Sequence, residues 1–214
     1  MVKAIIFDFF GTLVENGIHS PVKQAKWILG LRDMPFPDFI IKFEKAFMLQ
    51  KFESLSKAFE NVCKEFSIEP DEFTIDQLIG MWNKNKLLAK PFGDTINTLG
   101  DLKKDYKIIL LSNTDAFSIN DVLEKYSLKP IFDDIVFSYE IGLLKTDPEI
   151  FKKILKKHKL KKDDVVMVGD SLESDIKGAE QAGIEPVLLD RRDRMEYKNK
   201  ITNLYQLRDF LKNK

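Results

Sequence analysis

The chain is short of several things at once. Among its 214 residues there are one cysteine, Cys63, and two histidines, His19 and His158. A lone thiol closes no internal disulfide and builds no cysteine metal site, so a reducing, cytoplasmic setting is expected. Net charge is missing too, because 34 Lys+Arg balance 34 Asp+Glu. Holding nucleic acid or an anionic membrane surface takes a basic surplus, and neither partner is expected. No apolar run approaches the ~20 residues of a membrane span; the clearest are Ala4–Phe7, Ile108–Leu111 and Val165–Val168. The first is cut by Asp8 with no small-residue cleavage site behind it, so the amino terminus does not read as a signal peptide. Internal repeats and long Gly/Ser linkers are absent as well. What is present, 44% hydrophobic and 32% charged residues, is the composition of a globular chain with a sizeable core in one or two domains.

Short apolar, partly β-branched runs recur at Lys3–Phe9, Lys107–Leu111, Val165–Val168 and Pro186–Leu189, with a weaker one at Ile135–Phe137, and helical-looking stretches separate them. Strands that are apolar without alternation are buried on both faces. The rhythm therefore predicts an α/β fold: a Rossmann-like parallel sheet sandwiched by helices. Asp147-Pro148-Glu149 reads as an N-cap, a proline at the first helical position and an acidic first turn, opening a helix toward His158. From Asn16 to about Pro91 the rhythm stops and no convincing strand appears. Phe36, Phe39, Phe43, Phe47, Phe52, Phe59, Phe66 and Phe73 fall there at helical spacing, eight of the chain's 17 phenylalanines. These, with Trp27 and Trp82, are expected to form the core of a small inserted helical bundle. The insert spans 16–91, leaving a discontinuous α/β core of 1–15 plus 92–214.

In an open parallel sheet, ligands bind beyond the carboxyl ends of the strands. Each expected strand end delivers polar groups there: Asp8 before Phe9-Phe10-Gly11-Thr12, Ser112-Asn113-Thr114, Lys145 ahead of Thr146-Asp147-Pro148, and Gly169-Asp170-Ser171 with Asp175 beyond. Asp8, Asp170 and Asp175 gathered with Lys145 carry a net charge of −2, unfavourable unless a cation joins them. Mg²⁺ suits such a site, since it takes one or two protein carboxylates, water and a phosphate oxygen. A phosphorylated small molecule is then the expected substrate.

Taken together, Asp8-Phe9-Phe10-Gly11-Thr12-Leu13, Ser112 in Leu110-Leu111-Ser112-Asn113, Lys145 before Asp147-Pro148, and Gly169-Asp170-Ser171 with Asp175 resemble the four ordered motifs of the haloacid dehalogenase superfamily. The helical insert just after the first motif is similar to that family's C1-type cap. The resemblance implies that Asp8 is the nucleophile, forming a covalent aspartyl intermediate. It implies that Thr12, Ser112 and the neighbouring Gly11 and Asn113 bind the transferring group, and that Lys145 holds Asp8 and balances charge. Asp8, Asp170, Asp175 and the backbone carbonyl of Phe10 would hold Mg²⁺, and the cap would exclude water and select the substrate.

One position departs from the pattern. Family phosphatases carry a second Asp two residues after the nucleophile, which protonates the leaving oxygen and later activates water; here that residue is Phe10. General acid–base catalysis supplies ~10²–10⁴-fold, so its loss raises the barrier by roughly 3–5 kcal/mol unless another group substitutes. Haloacid dehalogenases of the same superfamily also lack that Asp, because a halide leaves without a proton. They need no metal, however, and hold the substrate carboxylate with a cap Arg, whereas the only Arg between 16 and 91 is Arg32. Phosphonatases lack the Asp and keep Mg²⁺, using a cap Lys; Lys23, Lys26, Lys42, Lys45 and Lys51 are all available, with none singled out. The charge balance favours the phosphatase. A low-turnover binding or regulatory protein on the same fold is the alternative from another class.

The remaining conspicuous residues read as structural. Seven lysines in Lys152–Lys162 are the solvated face of a helix, and Arg191-Arg192-Asp193-Arg194 is a surface turn. Cys63, between Phe59 and Phe66, is a buried thiol. His19 and His158 lie outside the motifs. A monomer or a homodimer is expected.

Overall fold

The computed structural model describes residues 1–15, 17 and 19–212. Asn16, where the insert is expected to begin, lies outside the described residues. The chain opens with β1 (Ala4–Phe7) and a two-residue strand β2 (Val14–Glu15), then forms four helices, α1 (Pro21–Ile28), α2 (Phe36–Met48), α3 (Leu55–Glu65) and α4 (Glu72–Leu88). β3 (Lys90–Pro91) follows, then α5 (Thr95–Leu102), β4 (Lys107–Ser112), α6 (Ile119–Lys125), β5 (Asp134–Phe137), α7 (Ser138–Ile141) and α8 (Glu149–His158). The last part holds β6 (Val165–Gly169), a π-helical turn at Leu172–Ile176, α9 (Lys177–Gln181), β7 (Glu185–Leu189), β8 (Lys200–Ile201) and α10 (Leu207–Lys212).

Six strands form one sheet in the order β5-β4-β1-β6-β7-β8, and every neighbouring pair is parallel. β1, β4 and β6 are buried almost throughout, which is why they carry no polar alternation. Ile5, Phe7, Ile108, Leu110, Val166 and Val168 face one side of the sheet, among α5, α6 and α10; Ala4, Ile6, Ile109, Leu111, Val165 and Met167 face the other, against α8 and α9. β1 lies at the centre, and the strands after the helical insert run outward first on its β4 side and then on its β6 side. The order reverses at β1, and at such a switch point the strand ends open a crevice.

The four helices between β2 and β3 pack on an aromatic centre. Phe47 lies 4.8 Å from both Phe59 and Trp82, ring centroid to ring centroid, and Phe43 stacks on Phe47 at 5.3 Å. Not every expected core aromatic joins it. Trp27 is 63% exposed and Phe73 70% exposed. Each sits two residues, or about 200° of helix, from a residue that is buried, Ala25 on α1 and Ile75 on α4, so each points outward. The Arg32 guanidinium covers the outer face of Trp27 at 4.3 Å. Sequence periodicity also passed over the paired short strands β2 and β3, where Val14 pairs with Pro91 and Glu15 with Lys90, and the edge strand β8. The helix expected from Asp147-Pro148-Glu149 is α8, and the Asp147 carboxylate accepts from the Glu149 N–H at 2.9 Å.

Arg191 is more than a surface turn. Its guanidinium makes two bonds to Asp94 (2.9 and 3.0 Å) and two to the Thr12 carbonyl (2.8 and 3.3 Å), and stacks over Phe92 at 3.8 Å. Asp94 in turn accepts from the Leu204 N–H at 2.8 Å. One ion pair, with Asp94 buried and Arg191 largely so, thus ties the loop after β1 to the start of α5 and to the carboxyl-terminal segment. Removing one member of a buried pair strands the other, at a cost of ~3–5 kcal/mol. Asp94→Ala is therefore expected to lower unfolding stability by about that amount, read as a lower urea midpoint at unchanged m-value; a midpoint within error of the parent would show the pair to be structurally idle.

Candidate active site

The crevice at the switch point is acidic. Asp8 leaves the end of β1, with its N–H donating to the Val168 carbonyl at 2.9 Å, so the backbone of β6 fixes its position. Asp170 follows the last residue of β6, and Asp175 lies in the π-helical turn beyond it. One carboxylate oxygen from each of the three falls within 4.8 Å of the others. Lys145, in the loop between α7 and α8, is 2% exposed and bonds both Asp8 and Asp175, the latter at 2.7 Å. The second oxygen of Asp175 accepts from the Ser171 N–H at 3.0 Å.

The charges perturb one another. Burial pushes Asp8 up to about 6, with Lys145 opposing the rise and Asp175 adding to it. Burial, Asp8 and Asp175 together raise Asp170 well above the usual carboxylate range. Burial alone would lower the Lys145 ammonium, but Asp175 and Asp8 outweigh it and hold the proton more tightly than usual. Asp8 Oδ2 is buried without a hydrogen-bond partner, and the one side-chain partner of Asp170 is Thr12 Oγ1 at 3.4 Å. Three oxygen donors that repel one another, one of them orphaned, fit a hard divalent cation.

The other residues singled out by sequence lie around this cluster. Thr12 is fully buried beside Asp170. Gly11 has φ of +92°, and a Cβ there would overlap the Asp170 carboxylate, so only glycine lets the loop pass. Ser112, 1% exposed, ends β4, and its hydroxyl has a single long contact, 3.5 Å to the Asn113 carbonyl. The Asn113 amide is engaged at both ends: its oxygen accepts from the Lys145 N–H at 3.0 Å and its nitrogen donates to Glu44 at 2.8 Å. The Phe10 ring packs edge-on against Phe9, with centroids 4.9 Å apart, and brings no titratable group. His19 is exposed, His158 pairs with Asp134 at 2.7 Å away from the crevice, Cys63 is buried within α3, and the seven lysines of 152–162 are exposed.

Sequence reasoning missed Glu44. It lies on α2, is 8% exposed, and hangs from the helical insert onto Asn113. Burial pushes its carboxyl up to about 7; Lys145 and the Asn113 bond oppose the rise, and Asp175 and Asp8 add to it. A local signal exists: the buried Phe43, Phe47 and Met48 are its neighbours at one, three and four residues, so it is an acid set inside the apolar arc of its helix. Further contacts join insert and core. Trp82 Nε1 donates to Asp115 (3.1 Å) and Ser118 (3.0 Å), and Ser138 Oγ donates to the Met48 carbonyl at 2.6 Å.

Acidic side chains gathered at the switch point of a parallel sheet, beneath helices inserted after its first strand, are what a capped Rossmann-like hydrolase presents. The chain belongs to the haloacid dehalogenase-like hydrolase family, whose model matches residues 2–183. It is 29% identical to the glyceraldehyde 3-phosphate phosphatase of Methanocaldococcus jannaschii, over 100% of this chain and 98% of that one. Among solved structures, a HAD phosphatase from Thermococcus onnurineus superposes with a TM-score of 0.65 at 23% identity, covering 98% of each chain. The L-2-haloacid dehalogenase of Xanthobacter autotrophicus, with chloropropionic acid covalently bound, gives 0.70 at 17% identity and covers 99% of each. At these identities the two structures speak for the fold alone. Among the described residues, no helix is long and apolar enough to cross a membrane.

The raised carboxylates make metal and pH interdependent. Asp8 titrates near 6 in the folded chain against 3.8 when unperturbed. Between those values the folded state binds more protons, so its contribution is present below pH ~4 and is lost as the pH rises through 6. A cation that takes the place of those protons stabilises most where they are gone. The rise in melting temperature on adding Mg²⁺ to EDTA-treated protein is therefore expected to be several degrees at pH 7.5 and to shrink toward zero at pH 5. An equal rise at both would contradict a cation on these carboxylates.

Proposed function

We propose that the protein is a Mg²⁺-dependent phosphatase acting on a small phosphorylated metabolite through a phosphoryl intermediate on Asp8. The observation that carries this reading is the cluster of Asp8, Asp170 and Asp175, acidic enough to require a cation and too acidic to receive an anionic substrate without one. Asp8, Asp170 and Asp175, with the Phe10 carbonyl, would hold the ion; when bound, Mg²⁺ neutralises the cluster and withdraws charge from the phosphoryl oxygens. Asp8 attacks phosphorus as a carboxylate, which it is above pH 6. Lys145 keeps that carboxylate ionised and aimed, and its charge offsets that of the transferring group. Thr12 and Ser112 offer hydroxyls to the phosphoryl oxygens, Gly11 clears their approach, and Asn113 braces Lys145. In this reading 1–15 and 92–214 carry the chemistry, and 16–91 is the cap that covers it and selects the substrate.

Phe10 favours a second reading, the haloacid dehalogenase. Against it stands the charge at the site. A haloacid carboxylate needs a cation to receive it, yet Arg32 is spent on the exposed face of Trp27, Lys86 is spent on Asp121 and the Phe117 carbonyl, and the cap side chain that meets Asn113 beside Lys145 is the acid Glu44. The lysines do not favour a phosphonatase either: Lys23, Lys42, Lys45 and Lys51 are exposed, and Lys26 donates to the Arg32 carbonyl at 2.8 Å.

The test is a panel of phosphate esters, headed by p-nitrophenyl phosphate and glyceraldehyde 3-phosphate, and of 2-haloacids, each with Mg²⁺ and with EDTA. Phosphate release that needs Mg²⁺ and falls at least ~10³-fold in Asp8→Asn is expected. Halide release without metal would establish the second reading, and no turnover of any compound would leave a binding protein on a hydrolase fold.

A further inference from the structure

Cleavage of an alkyl phosphate expels an alkoxide that needs a proton, and Phe10 has none to give. Among the described residues, four carboxyl groups are buried outside the acidic cluster: Glu44, Asp94, Asp115 and Asp190. Three of them are saturated. Asp94 takes Arg191 and the Leu204 N–H, Asp115 takes the Phe117 N–H and the Trp82 indole, and Asp190 takes the N–H groups of Arg192, Arg194 and Met195. Glu44 alone spends one oxygen, Oε2 on Asn113, and keeps Oε1 free of any hydrogen bond. It is also the one that faces the cluster, close enough for Lys145, Asp175 and Asp8 all to act on its charge.

Its direction suits the chemistry. In phosphoryl transfer the attacking and leaving oxygens lie roughly in line. Asp8 attacks from the end of β1, so the leaving oxygen departs from the sheet toward the helices that cover that end. α2 brings Glu44 there, and Asn113, fixed at its other end by the Lys145 backbone, sets the carboxyl.

We propose that Glu44 is the general acid and base of this enzyme, acting from the cap in place of the side chain missing at position 10. As an Asp8 oxygen bonds to phosphorus and the ester P–O bond breaks, the Glu44 proton passes to the leaving oxygen and an alcohol departs. Water then attacks phosphorus, gives a proton to the Glu44 carboxylate, and breaks the P–O bond to Asp8. Phosphate leaves, and Asp8 and protonated Glu44 are restored. A carboxyl held near 7 by burial, with Asp175 and Asp8 raising it and Lys145 and Asn113 lowering it, is protonated often enough to donate and ionised readily enough to accept.

The proposal rests on the phosphatase reading, and the experiment separates the two. The full chain in Mg²⁺ must first hydrolyse p-nitrophenyl phosphate and lose that activity in Asp8→Asn; if it does not, the phosphatase reading has failed. Glu44→Gln keeps an acceptor for Asn113 but cannot transfer the proton. With p-nitrophenyl phosphate, whose leaving group needs no acid, it is expected to give a burst of one nitrophenolate per chain, then a steady state ~10²–10³-fold below the parent, with phosphate trapped on the protein. With an alkyl phosphate the first turnover itself falls by a similar factor and no burst appears. Turnover within threefold of the parent on both esters, or an equal loss on both without a burst, would overturn the proposal. A measurement on the unaltered protein guards against a misfolded variant. The first turnover of the alkyl ester is expected to slow as the pH rises above 7 while that of the aryl ester does not, and parallel profiles would likewise overturn it.

Discussion

The structure turns on one ammonium group. Lys145 lies between Asp8 and Asp175, nearly out of contact with water, and each of the three charges is tolerable only in the company of the others. Asp8 is fixed by β1 and the backbone of β6, Asp175 by a π-helical turn that lets its carboxylate reach back to Ser171, and Lys145 by a loop whose N–H is held by Asn113. Three separate stretches of chain must be placed at once. Even a distant glycine serves this arrangement: a Cβ on Gly178 of α9 would run into the Lys145 carbonyl, so the helix after the acidic turn can approach only because that side chain is absent. Lys145 answers two of the three carboxylates, and the surplus negative charge is the reason a cation belongs there.

The parts of the molecule that sequence made legible are those with strong local signals. Buried parallel strands announce themselves as unbroken apolar runs, and the polar residues that end them, Asp8, Ser112 and Asp170, are conspicuous because they interrupt those runs. Tertiary placement is less legible. Trp27 and Phe73 share the helical spacing of the bundle core, yet the phase of α1 and α4 turns them to solvent. β2, β3 and β8 are two residues each, too short to show a period. Glu44 is marked locally only as an acid inside the apolar arc of α2; that it meets Asn113, 69 residues on, shows only once the helix is docked. Arg191 gives no local hint that its partners lie about a hundred residues and more away.

Helices and sheet are joined by polar contacts as well as by packing. Trp82 places its ring among the aromatics of the insert and its N–H on Asp115 of the core, so one side chain belongs to both. Met48 and Glu44, one turn apart on α2, reach Ser138, the first residue of α7, and Asn113, on the loop after β4. The Glu44 contact ends on Asn113, directly after Ser112 at the end of β4. The insert therefore bears on the crevice itself, and any change in its seating is felt first by Asn113 and, through it, by the Lys145 backbone.

The short ribbon of β2 and β3 has a consequence for how such a molecule can vary. The chain leaves the sheet layer at Glu15 and returns at Lys90, and these two residues face each other across an antiparallel pair, joined also by an ion pair at 3.0 Å. Exit and re-entry are thus side by side, and the length or shape of what lies between them imposes nothing on the register of β1 against β4 and β6. The inserted helices can therefore differ in length, packing or facing while the strand ends keep their acids in place.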